Sequence, residues 1–177
     1  RVTIGDERIE TALAFGTSAL RNARNGEQVV KAIEAATGIK TQIISGLQEA
    51  EYIYKGAQAA INMGSEKSLI MDIGGGSVEF IIGNHQEICW SHSYEIGGQR
   101  LLERFQKHDP IMKEEVDALF DFFKEELSSL FEAMNIHHPE TLIGSSGTFD
   151  TLSDIYCWKN HLPLMDTPET PFSLDAF

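Results

Sequence analysis

Apolar residues recur along this chain with two different periods, and the change of period divides it. ETALAFGT (10–17) is a short apolar run closed by Gly16 and predicts a strand. TSALRNARNG (17–26), with two arginines, reads as a loop or a short helix. GEQVVKAIEAATG (26–38) spaces its apolar residues at helical intervals and meets a glycine stop at Gly38. IKTQIISG (39–46) reads as a strand. LQEAEYIYKGAQAAINMG (47–64) reads as a helix with Leu47, Ala50, Ile53, Tyr54, Ala57 and Ile61 on one face.

From residue 68 the period drops to two. SLIMDIGG (68–75), SVEFIIGN (77–84) and EICWSHSYEIGG (87–98) are three extended runs joined by short glycine or asparagine turns, which predicts an antiparallel meander. GQRLLERFQK (98–107) and EEVDALFDFFKEELSSLFEAM (114–134) return to helical spacing, the latter as one long amphipathic helix. ETLIGSSGTFDTLSDIY (140–156) reads as strand, glycine-serine turn and helix. The tail LPLMDTPETPFSLDAF (162–177) reads as a proline-rich connection. Strand–helix–strand–helix feeding a meander, then helices and a last strand, predicts an α/β fold with a mixed sheet.

Composition narrows the class. At 42% hydrophobic and 23% charged residues the chain matches a globular protein, and 177 residues suffice for one domain or two small lobes. No apolar run approaches membrane-spanning length, so no membrane partner is expected. RVTIGDERIE has neither a basic nor an apolar leader region, so no signal peptide is expected. Two cysteines, Cys89 and Cys157, lack metal or redox spacing and read as reduced thiols of a cytoplasmic protein. The net charge of −13 lies wholly beyond residue 60, where seven basic residues face twenty acidic ones. Such a surface repels a polyanion at long range, so nucleic acid is not an expected partner. An anionic substrate would need local donors or metal ions.

The chemistry concentrates in MDIGGGSVEF (71–80). A strand follows the glycines, with Val78, Phe80 and Ile82 alternating against Ser77, Glu79 and Ile81, so Gly74, Gly75 and Gly76 form a hairpin turn rather than the strand-to-helix turn of a dinucleotide or P-loop site. Backbone N–H groups without a Cβ beside them can approach an anion closely. Asp72 ends the incoming strand and Glu79 lies on the outgoing one, and a hairpin brings such positions within about 5 Å. Two carboxylates beside a phosphate nest suit Mg²⁺. The plainer alternative is a glycine-rich hairpin with two solvated acids. GSSGT, Gly144, Ser145, Ser146, Gly147 and Thr148, is either a second phosphate cradle or an ordinary helix cap. Arg21 is either a phosphate ligand or a surface arginine, and Glu49 either a working acid or a first-turn glutamate at a helix dipole. The six histidines show no metal-ligand spacing.

FGTSALRNARNG, IISGLQEAEYIYKGA, LIMDIGGGSVEF and IGSSGT occur in an order and spacing that resembles the exopolyphosphatase / guanosine-pentaphosphate phosphatase (Ppx/GppA) family, over residues 15–148. That family belongs to the actin/sugar-kinase/Hsp70 superfamily of two RNase-H-like lobes around a phosphate cleft. The resemblance implies an RNase-H-like mixed sheet, with residues 1–60 as the end of the first lobe and the crossover, and 61–177 as the second lobe. It implies Glu49 as the base that activates water, and Asp72 and Glu79 as ligands of Mg²⁺ or another divalent cation. It implies Arg21, Gly74, Gly75, Gly76, Ser77 and Gly144 through Thr148 as phosphate-binding residues. The family's opening Asp-x-Gly-Ser-Asn-Ser loop has no counterpart in residues 1–15, which predicts a middle part of a longer protein, inactive by itself.

The expected activity is Mg²⁺-dependent removal of terminal phosphate from inorganic polyphosphate or guanosine pentaphosphate. The expectation on assembly is limited to compatibility with a homodimer. Two alternatives stand beside it: a non-catalytic module that binds phosphoryl ligands, and a sugar-kinase-like ATPase. The retained Glu49, Asp72 and Glu79 count against the first, and the TSALR and SGLQEA stretches count against the second.

Overall fold

The computed structural model describes residues 11–163 and 169–170. The expectations for RVTIGDERIE, and for all but a few residues of the tail connection, lie outside the described residues. The chain divides into two compact units, one ending at Glu49 and the other starting at Ala50.

In the first unit β1 (Ala14–Gly16) pairs parallel with β2 (Thr41–Ile43), Phe15 opposite Gln42. Parallel pairing needs a crossover, which α1 (Ser18–Asn22) and α2 (Gly26–Thr37) supply. The glycine stop of α2 is real: Gly38 adopts a left-handed φ of 73° and its N–H closes on the Glu34 carbonyl. Both strands are three residues long, shorter than the apolar runs that predict them.

α3 (Gly46–Ala60) opens with Ser45 and Gln48 in reciprocal hydrogen bonds, the Gln48 N–H to Ser45 Oγ at 3.2 Å and the Ser45 N–H to Gln48 Oε1 at 3.0 Å. This exchange satisfies two N–H groups that a helix start leaves orphaned. α3 ends at Ala60, four residues before the predicted stop, and Gly64 then turns with a φ of 68°.

The second unit is built on a four-stranded sheet in the order β5-β4-β3-β6. β3 (Ser68–Ile73), β4 (Val78–Gly83) and β5 (Ile88–Tyr94) form the expected antiparallel meander. β6 (Thr141–Ser145) adds parallel to β3. Every residue of β4 is buried. Its apolar-polar alternation therefore does not mark one wet face; it is a central strand covered on both sides. On one face Ile70 and Ile81 pack with Ala50, Tyr54 and Met63. On the other, Val78, Phe80, Tyr94, Ile96 and Leu130 form a second core. The expected face of α3 packs as predicted except at Leu47, which is exposed.

α4 (Gly98–Phe105) follows β5. The single long helix predicted over 114–134 is two, α5 (Lys113–Glu126) and α6 (Ser128–His137), broken at Leu127. Ser128 and Ser129 follow the break, and paired serines kink helices by offering the backbone competing partners. The kink sets Ser129 Oγ 2.6 Å from the buried Tyr94 hydroxyl. α7 (Gly147–Lys159) closes the described part. No helix among the described residues is long and apolar enough to cross a membrane. Cys157 is buried and Cys89 half-buried, and both are free thiols.

Between α4 and α5, Glu115 accepts the Met112 and Lys107 N–H groups, each at 2.8 Å, and meets His108 Nδ1 at 2.9 Å. The Met112 N–H first, then His108, hold its pKa down to about 2 from an ordinary 4.5.

Ile81 is fully buried, so Ile81→Ala should cost about 2–5 kcal/mol in urea unfolding. Glu115 has a lowered folded pKa, so its contribution is complete above about pH 4.5 and fades as the pH falls toward about 2. Protection of the Lys107 and Met112 amides, taken against their intrinsic exchange rates at each pH, should fall across that window, and Glu115→Gln should flatten the change.

Candidate functional site

The register of the sheet places the acids of the glycine-rich stretch. Asp72 lies directly opposite Glu79 across β3 and β4. Glu79 lies opposite Ser93 on β5, and Asp72 opposite Ser145 on β6. Directly paired residues share a face of the pleat, so Ser93, Glu79, Asp72 and Ser145 form one polar row across all four strands. Two residues back on the same face, Ile70 and Ile81 begin the apolar core. The row is the edge of that core.

Glu79 is only 1% exposed. Burying a carboxylate is costly unless hydrogen bonds hold it, and the Ser93 hydroxyl donates to Glu79 Oε1 at 2.6 Å. Asp72 is partly exposed. Two carboxylates side by side offer an oxygen-only donor pair, which suits a hard divalent cation completed by phosphate and water oxygens. No group of three or more His, Cys, Asp or Glu side chains that could hold a metal ion occurs among the described residues.

The glycines form the predicted hairpin turn, with the Gly74 N–H on the Ser77 carbonyl at 3.0 Å. Their carbonyls are all engaged by the segment after β5. The Gly98 N–H reaches Gly74 O at 3.0 Å, the Gln99 N–H reaches Gly75 O at 3.0 Å, and the Gly97 N–H reaches Gly76 O at 3.3 Å. Arg100 Nε donates to Gly76 O at 2.7 Å, while its Nη2 pairs with Glu95 at 2.9 Å. A Cβ on Gly97 would stand 2.4 Å from Gly75 C and Gly76 N, so only glycine fits there. The sequence places Gly97 at the end of an extended run and Gly98 through Arg100 at the start of a helix, which by itself gives them no role at the turn. The signal available was a second glycine pair closing the meander.

The stretch Gly144 through Thr148 comes to the same end of the sheet through β6. Gly144 faces Phe149, whose ring carbons would lie within 1.9–2.4 Å of a Cβ. Ser146 precedes α7 with φ 67° and ψ 179°, a costly conformation for a residue with a side chain. Its hydroxyl does not cap the helix. It donates instead to the Ile73 carbonyl at 3.1 Å, tying the turn to the end of β3 one residue beyond Asp72. Gly147 and Thr148 are exposed in the first turn of α7.

Arg21 and Glu49 belong to the first unit, and the fold brings them together. Arg21 Nη1 donates to Glu49 Oε2 and to the Ile44 carbonyl, both at 3.0 Å. The side chains are 18% and 16% exposed. Arg21 is therefore an ion-paired, largely buried arginine, and the pairing fixes where the Glu49 carboxylate sits in the first turn of α3. The Ser45–Gln48 box fixes the start of that turn.

Comparison with known proteins gives a consistent picture. Residues 4–162 match the Ppx/GppA phosphatase family. The guanosine-5'-triphosphate,3'-diphosphate pyrophosphatase of Photobacterium profundum is 36% identical over 146 residues, which cover 82% of this chain and 29% of that protein. Exopolyphosphatase 2 of Mycobacterium tuberculosis is 33% identical over 119 residues, covering 67% of this chain and 37% of that protein. The crystal structure of an exopolyphosphatase from Cytophaga hutchinsonii superposes with a TM-score of 0.90 at 42% identity, over 93% of this chain and 53% of that one. The chain thus spans about a third of the curated relatives and about half of the solved one.

Ser93→Ala removes a donor from a buried carboxylate. It should lower stability by about 1.5–3 kcal/mol in urea unfolding at neutral pH. A loss near zero would show that the hydroxyl does not hold Glu79.

Proposed function

The chain belongs to the Ppx/GppA phosphatase family, and from that premise we propose that the protein hydrolyses phosphoanhydrides, releasing terminal phosphate from inorganic polyphosphate or guanosine pentaphosphate. The observation that carries this reading is the direct pairing of Asp72 with Glu79 at the base of a glycine turn. The similarity to a guanosine-5'-triphosphate,3'-diphosphate pyrophosphatase and to an exopolyphosphatase supports both substrates. In the same reading residues 1–60 are the end of one lobe and the crossover, 61–177 are the second lobe, and the compartment is the cytoplasm.

Hydrolysis moves a terminal phosphoryl group to water: one water oxygen bonds to phosphorus, and the bridging P–O bond breaks. Little covalent chemistry is asked of the protein; it must orient water and neutralise charge. Glu49 takes the role of the base that orients the water and accepts its proton. Arg21 serves as the residue that holds that carboxylate in one rotamer, through the 3.0 Å contact, and as a contributor of positive charge near phosphate. Asp72 and Glu79 are the residues that would hold Mg²⁺ or another divalent cation, which when bound supplies charge neutralisation to phosphoryl oxygens. Gly74, Gly75, Gly76 and Ser77 offer backbone donors to phosphate, and Gly144 through Thr148 form a second turn for the same ligand.

A binding module that never turns its ligand over is the competing reading. The ion-paired, positioned Glu49 favours the hydrolase, because a pure binder of phosphate gains nothing from a first-turn acid held in place.

Phosphate release should be assayed with the intact protein on both substrates, with Mg²⁺ and with EDTA. Release is expected to require Mg²⁺ and to fall at least about 100-fold in Glu49→Ala. Intact ligand binding without release from either substrate would place the protein with the binding modules.

A further inference from the structure

The glycine turn is held from behind, and the way it is held decides which way its donors face. A peptide unit is planar, and when trans its C=O and N–H point in opposite directions. The cis bond among the described residues is Asp109–Pro110, so the turn's peptides are trans. The Gly74, Gly75 and Gly76 carbonyls all point at the segment Gly97–Arg100. The N–H groups of the same three peptides, those of Gly75, Gly76 and Ser77, must therefore point the other way. Among the described residues no hydrogen bond uses any of these three N–H groups. Ser77 is only 3% exposed, so this end of the turn is shielded from bulk water.

The holding is mutual. A helix start leaves its first N–H groups without partners. In α4 those of Gly98 and Gln99 are spent on the turn's carbonyls. Arg100 adds a guanidinium donor to the last of the three, and Glu95 fixes the other end of that guanidinium.

We propose that Arg100 and Gly97 are positioning residues for anion binding: they pin the carbonyls of Gly74–Gly76 to the start of α4 and so present the Gly75, Gly76 and Ser77 N–H groups as one ordered donor set for a phosphoryl group. This rests on the phosphohydrolase reading for the identity of the anion, but the donor set itself is read from the geometry. A charged side chain that never touches the ligand thereby sets its affinity. A turn with free carbonyls would sample peptide flips that turn donors away, and ordering it would then cost binding free energy.

The test follows backbone amide signals of Gly75, Gly76 and Ser77 while inorganic tripolyphosphate is added to the intact protein, in wild type, Arg100→Gln, Arg100→Lys and Gly97→Ala. Arg100 is 43% exposed at its side chain, so its variants should keep the fold, checked by circular dichroism and by a melting temperature close to wild type. Saturable shifts at the three amides in wild type are expected. Arg100→Gln should need about tenfold more tripolyphosphate, with Arg100→Lys in between. In the assay, the same variants should raise KM more than they lower kcat. Equal titration of wild type and Arg100→Gln would overturn the proposal. So would the absence of tripolyphosphate shifts at these amides in wild type, whether or not phosphate is released. Wild-type shifts weakened in Arg100→Gln, in a protein that hydrolyses neither substrate, would uphold the positioning role and remove the hydrolase reading. Gly97→Ala, where a Cβ meets backbone, should weaken binding at least as much as Arg100→Gln.

Discussion

The antiparallel register of β3 on β4 is the constraint on which the second unit depends. It sets Asp72 against Glu79 and, through the two outer strands, aligns Ser93 and Ser145 with them. A slip of one residue would send every side chain of a strand to the opposite face. Asp72 and Glu79 would then exchange places with Ile73 and Val78, and carboxylates would enter the core that Phe80, Tyr94 and Leu130 occupy. Two buried clusters, one on each face, make that slip prohibitive. The apolar cores are thus what hold the acids in position.

The same logic explains why a central strand tolerates a glutamate. β4 is covered on both faces, and a charge inside it would ordinarily be expelled. Glu79 sits one residue inside the strand's start, at the level where the core ends, with a serine hydroxyl from β5 beside it. Moving the acid to position 81, among Ala50, Tyr54 and Ile70, would leave it with apolar neighbours. The polar row is therefore confined to the turn end of the sheet.

Several departures from ordinary local preference gather at this end. Ser146 holds a positive φ without capping its helix, Gly97 has no room for a Cβ, and the first N–H groups of α4 go to a neighbouring turn. Each costs something locally, and each fixes a backbone segment near Asp72 or Gly75. Strain and close approach that cluster at one end of a sheet are what a preorganised site requires. Elsewhere the unit obeys common rules, such as the paired serines that kink the helix after Glu126.

Periodicity and glycine placement alone determined most of the architecture. Hydrophobic spacing of 3.6 marked the helices, alternation marked the meander, and the acid–three-glycine–acid stretch marked a hairpin with two facing carboxylates. Those features are local, written within ten or so residues, and physics acts on them locally. Tertiary structure alone decided the partners separated in sequence. No spacing announces that Arg21 will pair with Glu49, 28 residues on, or that Ser93 will hold Glu79. Nor does it announce that Arg100 and Gly97 will close on a turn more than twenty residues earlier. Such contacts depend on which strands pair and which helix end meets which loop. That choice is made by burial summed over the whole sheet, which no short window of the chain contains.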